Sequence, residues 1–300
     1  MGRALLLCLA LLAALPARAW ETRRLALDWE GARRTAILDA APGLRDAPLL
    51  IALHGGIGSA EWIRRRAGVS LAARGWAVAW PEALDAWNDG RRDAAGRPYS
   101  ETDDVGFLRA LVATLAAEGL VDPARVFVAG PSFGGSMTLR VLCEAPELVA
   151  GVAAAITLMP AALDCPEEGP PVPALYLHGT EDAIMPEEGG VVGGGSLLIR
   201  DRGAVRSAAE TVGVLAARNR CEGVARRPLP DRDPEDGSRV VLREHRGCAA
   251  PLLHVVVEGG GHGWPGAPLP GAARLFVGAT NMDVSATRLI ERFFEGLAAD

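Results

Sequence analysis

Lysine is missing from this sequence: all 31 basic side chains are arginine. They are outnumbered by 37 acids, which leaves a net charge of −6, and no basic run is long. The densest cluster, Arg64-Arg65-Arg66, reads as a solvated helix face. A field of this sign excludes a nucleic-acid binder, whose affinity depends on cations displacing phosphate counter-ions. Also missing, after residue 19, is any apolar run approaching the ~20 residues that cross a bilayer. No two cysteines stand close enough in sequence for a zinc site, and no C-x-x-C redox pair is present. There is no internal repeat and no Ser- or Thr-rich linker, and no appended polymer-binding module is expected.

What is present is a chain of 300 residues, 49% apolar and 23% charged, enough for one large domain with a sizeable core. Arg3, the apolar run Ala4 to Leu15 and the small residues Pro16-Ala17-Arg18-Ala19 have the order of a secretory signal. Cleavage is expected near Ala19, with residues 20–300 forming a single domain in the periplasm or outside the cell and no stable membrane anchor. Cys8 lies inside the apolar run, not at its end, which argues against a lipid anchor. The remaining cysteines are Cys143, Cys165, Cys221 and Cys248. An even number in an oxidising compartment implies disulfides. Three pairings are possible, and sequence neighbours favour Cys143–Cys165 and Cys221–Cys248.

Short apolar runs alternate with longer amphipathic ones. Leu49 to Leu53, Trp76 to Trp80, Val126 to Ala129, Val152 to Ile156, Ala174 to Leu177 and Leu252 to Val257 read as buried strands. Ala60 to Arg74, Asp103 to Ala117, Gly135 to Glu144, Val205 to Arg218 and Val284 to Leu297 read as helices. Continuous apolar strands separated by helices imply an α/β fold, a mostly parallel central sheet flanked by helices on both faces. Leu25 to Leu27 and Thr35 to Leu38 suggest an antiparallel opening ribbon. Gly189 to Gly195 and Arg226 to Gly237 read as loops.

Gly130-Pro131-Ser132-Phe133-Gly134 is a G-x-S-x-G motif between a strand and a helical pattern, the setting of a nucleophile elbow. A serine hydroxyl needs a base, and the base needs an orienting acid. In chain order, Asp182 follows the strand ending Leu177-His178-Gly179, and His262 follows a strand and three glycines. The candidate catalytic set is therefore Ser132, Asp182 and His262, with Glu181 as the rival acid. Backbone N–H groups of Phe133 and Gly56, with Ile57 second, would form the oxyanion hole. His54 reads as structural, His178 as a support for the acid loop, and His245 and His254 as ordinary strand residues.

The blocks Leu53-His54-Gly55-Gly56, Trp87-Asn88-Asp89-Gly90-Arg91, Asp103-Asp104-Val105-Gly106-Phe107, His178-Gly179-Thr180-Glu181-Asp182 and Gly260-Gly261-His262-Gly263-Trp264-Pro265-Gly266 are similar to those of the polyhydroxybutyrate depolymerase family of esterases, near the feruloyl and acetylxylan esterases. Ala217-Arg218-Asn219-Arg220-Cys221 is similar to that family's helix end. The resemblance covers most of residues 45–297. It implies an α/β-hydrolase fold, secretion, no metal and no organic cofactor, and supports the same triad and oxyanion donors. It also matches the cysteine positions. The chain departs from the family at Pro131 and Phe133 in the elbow, at Ile57, and at Gly263, where a hydroxyl residue is usual. The implied substrate is a small or oligomeric hydroxyalkanoate ester, with feruloyl or acetylxylan esters as the alternative. Further off stand a serine peptidase and a non-catalytic binding protein on the same scaffold. Trp87 and Trp264 are candidate pocket residues, either able to stack on an aromatic acyl group or to pack in the core.

Overall fold

Apolar runs buried on both faces build the middle of a ten-stranded sheet. The computed structural model describes residues 20–193, 202–269 and 271–299; the expected signal segment and the end of the glycine-rich stretch lie outside these. The strands of the first half are β1 (Glu21–Trp29), β2 (Ala32–Ala40), β3 (Ala47–Ala52), β4 (Ala77–Pro81), β5 (Val121–Pro131) and β6 (Gly151–Ala155). Those of the second are β7 (Ala174–Gly179), the two-residue β8 (Gly190–Val191) and β9 (Ala204–Val205), then β10 (Gly223–Pro228), β11 (Arg239–Arg246) and β12 (Leu252–Glu258). The sheet order is β1-β2-β4-β3-β5-β6-β7-β12-β11-β10. The six strands from β4 to β12 are parallel, and an antiparallel pair closes each edge.

Side chains alternate across each central strand, and both sides are covered. Leu49 and Ile51, Val126 and Val128, and Val152 and Ala154 face one core with α2 (Asp104–Ala117), α3 (Ser132–Glu144) and α4 (Ala208–Arg218). Leu50, Phe127, Ala153 and Leu175 face a second core with α1 (Ala60–Arg66) and the last helix, α6 (Ala286–Ala299). A two-sided parallel sheet leaves its strands no polar face, which is why they read as unbroken apolar runs. This is the α/β-hydrolase architecture.

Several boundaries differ from the sequence reading. The expected helix from Ala60 to Arg74 stops at Arg66. Gly68 takes a left-handed φ of 62°, and the chain resumes as a 3₁₀ turn over Leu71–Arg74. Ile63 and Leu71 still reach the same core, so the apolar period survives the break. The helix expected from Val205 begins at Ala208, because Ser207 and Glu210 form a reciprocal capping box, and Val205 pairs in β9. The stretch Arg226 to Gly237 is not all loop: Arg226 to Pro228 belong to edge strand β10, whose exposed polar sequence gives no apolar alternation. The short helix α5 (Gly271–Val277) carries the exposed Leu275 and Phe276 and has no buried stripe to announce it.

Candidate active site

Strand β5 runs straight into helix α3, and Ser132 sits at the junction with a φ of 53°. A non-glycine residue in that region is strained, and the neighbours force it. A Cβ on Gly130 would stand 2.6 Å from the carbonyl carbon of Gly134, and one on Gly134 would stand 2.5 Å from the His54 carbonyl oxygen. Both glycines are thus required by close backbone approach, since neither has a positive φ. Pro131 fits without distortion, with φ −88° and ψ 154°, and pairs with Ala155 of β6. The first N–H groups of α3 lack intrahelical acceptors and point toward the serine end of the helix.

His262 lies on the loop after β12. Its N–H bonds to the Val277 carbonyl at 2.5 Å, and the Gly261 N–H to the Ala279 carbonyl at 2.8 Å. The imidazole Nε2 is 3.0 Å from Ser132 Oγ, and Nδ1 is 2.6 Å from Asp182 Oδ2. Asp182 is buried at 4% exposure, and its other oxygen accepts the N–H groups of Ile184 and Met185, each at 2.8 Å. With both oxygens engaged, the carboxylate can accept only from Nδ1–H. That assigns the tautomer that leaves the Nε2 lone pair facing the serine hydroxyl. Glu181 is exposed and makes no such contact; its backbone N–H bonds to Gly260.

The loop after β3 turns tightly, with the Gly58 N–H bonded to the Gly55 carbonyl at 3.1 Å. Gly56 stands close against the Cδ2–Cε2 side of the Phe133 ring, where a Cβ would come within 2.6 Å of Cε2. Ile57 points into solvent. His54 is buried, and its Nε2 lies 3.1 Å from the donating Ala83 N–H. It braces the loop and stays out of the relay. His178 and His254 form a buried pair behind the acid loop, Nδ1 to Nε2, at 3.1 Å. Burial holds the His178 imidazole below its ordinary value. Burial also pushes His254 down, to about 2, with the neighbouring His178 and Arg243 adding to the shift.

Of the two candidate pocket tryptophans, Trp87 is excluded. It is 1% exposed, and its indole N–H donates to the His54 carbonyl at 2.9 Å, so it is a core residue that no ligand reaches. Trp264 is half-buried on the second core, donating to Thr287 Oγ1 at 3.1 Å. Sequence reasoning passed over two features. Arg91, 2% exposed, stacks its guanidinium 3.4 Å from the centre of the Phe133 ring. The Thr280 hydroxyl fills the place where a side chain on Gly263 would begin. The only sequence signal for Arg91 was its membership of the Trp87 to Arg91 block. For Thr280 it was the missing hydroxyl at position 263. Cysteines pair as Cys143–Cys165 and Cys221–Cys248. Among the described residues no cluster of His, Cys, Asp and Glu is arranged to hold a metal ion, and no helix is long and apolar enough to cross a membrane.

No family model matches the chain. Over 267 residues, 85% of this chain and 77% of the relative, it is 30% identical to a protein of Nocardia uniformis subsp. tsuyamanensis described as "Putative esterase NocK". It is 29% identical over 164 residues to feruloyl esterase B of Piromyces equi, a match spanning 50% of this chain but only 28% of that protein. Among solved structures, an acetyl xylan esterase from Aspergillus awamori superposes with a TM-score of 0.56 over 92% of this chain and 99% of that one. At 13% identity this is a likeness of fold. Fold and relatives converge on one conclusion: the chain belongs to the family of the NocK esterase, α/β-hydrolase-type esterases with sequence similarity to feruloyl esterases.

Proposed function

We propose that the chain is an exported serine carboxylic-ester hydrolase in which Ser132 is the nucleophile, His262 the general base and Asp182 its orienting acid. The observation that carries this reading is the relay itself, 2.6 Å from Asp182 to His262 and 3.0 Å from His262 to Ser132, at the strained end of a strand. His262 takes the hydroxyl proton as Ser132 Oγ bonds to the ester carbonyl carbon. The carbonyl oxygen gains the negative charge and is held by the N–H groups of Phe133 and Gly56. Collapse of the adduct breaks the ester C–O bond, and His262 passes its proton to the departing alcohol. Water then attacks the acyl-serine in the same way and releases the acid.

The proposed substrates are small or oligomeric hydroxyalkanoate esters, as the motif resemblance implies. A second reading, feruloyl or acetylated sugar esters, is favoured by the identity shared with feruloyl esterase B. Burial of Trp87 removes one aromatic platform that this second reading could have used. Hydrolysis should be measured across p-nitrophenyl esters, methyl ferulate, acetylated xylan, soluble 3-hydroxybutyrate oligomers and a peptide amide. Ser132→Ala is expected to lower kcat by roughly 10⁴-fold or more on whichever ester is turned over. Esterase activity surviving in Ser132→Ala would sink the assignment. Export is proposed to follow removal of residues 1–19, and Edman sequencing of the secreted protein should begin at Trp20.

A further inference from the structure

We infer that Arg91 is a positioning residue of the oxyanion hole: its guanidinium clamps the Phe133 ring against Gly56 and so fixes the two N–H donors relative to each other. The inference rests on the assignment of Phe133 and Gly56 as donors proposed above. The two donors belong to separate segments, one after β3 and one at the start of α3; the pairing of β3 with β5 ends at the Leu53 N–H to Ala129 carbonyl bond, before either donor. Beyond that pairing, the Phe133 ring lies in contact with both Gly56 and Arg91. Gly56 lies on one part of the Phe133 ring so closely that any Cβ there would collide with it. The Arg91 guanidinium lies 3.4 Å from the ring centre, at van der Waals contact. A planar cation stacked on an aromatic face is held by both dispersion and the ring quadrupole, strongly so when it is desolvated.

The clamp is itself anchored. Arg91 Nε donates to Asp89 Oδ2 at 2.7 Å, and both side chains are about fully buried, at 2% and 1% exposure. Arg91 Nη1 donates to the Arg202 carbonyl at 2.6 Å. Burial drives the Asp89 carboxyl upward and the Arg91 cation opposes it, so neither partner can leave without stranding the other. The segment carrying Arg91 also contacts the His54 loop and helix α3 directly. Trp87 donates to the His54 carbonyl at 2.9 Å, just ahead of Gly55 and Gly56. The Asn88 carbonyl accepts from Arg140 of α3 at 2.5 Å. A buried ion pair contributes little to net stability, but it is well suited to specify geometry. Here the geometry it specifies is the spacing of two donors around one developing charge.

The test is a double-mutant cycle in the full mature chain, Arg91→Lys and Phe133→Leu, singly and together, on a p-nitrophenyl ester. Lysine keeps the charge but lacks the plane that stacks. Arg91→Lys is expected to lower kcat about 10- to 100-fold, the scale of a misplaced catalytic group, with KM within about twofold. Labelling by a fluorophosphonate, which puts a phosphoryl oxygen in the same hole, should slow by the same factor. The pH profile should stay unchanged, since the His262–Asp182 contact is untouched. In the Phe133→Leu background the Arg91→Lys loss should largely vanish. An unchanged kcat, or an equal loss in both backgrounds, overturns the inference. If Arg91→Lys does not fold, Phe133→Leu alone decides, because it keeps the Asp89–Arg91 pair and both backbone donors: a similar kcat loss supports the clamp, and a wild-type kcat overturns it. Ser132→Ala, measured in parallel, separates the two levels. Activity remaining there fails the serine mechanism as a whole, whereas loss there with an additive cycle fails only the clamp.

Discussion

Two glycines beside the relay are walled in differently, and the difference predicts different mutants. At Gly134 the obstruction is backbone, the carbonyl oxygens of His54 and Leu53 at 2.5 and 2.7 Å from an added Cβ. Neither can swing aside. Gly134→Ala is expected to cost about 3 kcal/mol or more, the range of forced overpacking, or to abolish folding. At Gly263 the obstruction is the Thr280 side chain, whose buried hydroxyl has no partner among the described residues. Gly263→Ala should cost less, about 1–3 kcal/mol, and Thr280→Ala in the same chain should recover part of it. Urea denaturation of the single and double variants checks both; equal, unrescued losses would show the two walls to be alike. At this scale the sequence was legible where chemistry follows chain order. Ser132, Asp182 and His262 each stand soon after a strand with a glycine within three residues, so position along the chain marked them as the candidates that the fold brings within hydrogen-bond distance. Arg91, Asp89 and Thr280 act through residues far away in sequence, and no local pattern marks such contacts. Trp87 misled because an indole reads the same in a pocket and in a core.

The paired elements β7 and β12 hold a buried cluster of three rings, Tyr176, His178 and His254, each pair with centroids 5.1–5.5 Å apart. Groups facing His178 and His254 are Glu187 and Asp182 of the acid loop, Tyr176 on β7, and Arg243 and His245 on β11. Burial is the chief cause that depresses both imidazoles, and the Glu187 carboxylate, 3.3 Å from His178, only partly opposes it. The unfolded chain therefore binds protons here that the folded chain refuses. This contribution to stability is complete above about pH 6.5, the ordinary histidine value, and is lost as pH falls below it. For His254 the loss continues toward the folded value of about 2. Each such imidazole adds up to about 1.4 kcal/mol per pH unit to the slope. Unfolding free energy measured from pH 7.5 to 4.5 should fall, and His254→Gln, which cannot titrate but can still donate to His178, should flatten the slope. An identical slope in the variant would remove these histidines from the account. The strands bearing them were legible because burial on both faces keeps most of their positions apolar. Edge strand β10 was not, since an edge carries arginines and proline as readily as a loop does. The helix expected to reach Arg74 was overextended because one glycine breaks a helix without disturbing its apolar period.

Across the whole molecule, the proposed relay and the disulfides lie at opposite ends of the parallel strands. Ser132, Asp182 and His262 all follow the carboxyl ends of parallel strands, β5, β7 and β12. Both disulfides lie toward the amino ends of those strands. Cys143 ends α3 and pairs with Cys165 ahead of β7, and Cys221 follows α4 and pairs with Cys248 just before β12. Arg218 reinforces the same region without any carboxylate, donating to the carbonyls of Leu142 and Pro166, each next to a bridged cysteine. Asn219 adds hydrogen bonds to both backbone groups of Val172. The cysteine pairs were legible because parity and sequence neighbourhood point to them, whereas Arg218 looked like any other arginine near a helix end. Sequence separations of 22 and 27 residues place each bridge at about 3.5 kcal/mol in the loop-entropy account. Replacing Cys143 and Cys165 together by serine should lower the unfolding free energy by about that amount, and the Cys221 and Cys248 pair likewise. Because the relay sits at the carboxyl ends of β5, β7 and β12 and the bridges near the amino ends, kcat well below the melting temperature should change by less than about twofold. Guanidinium titration and kcat of each double variant test this separation, and a large loss of kcat in a variant that remains folded would show that the two ends are coupled.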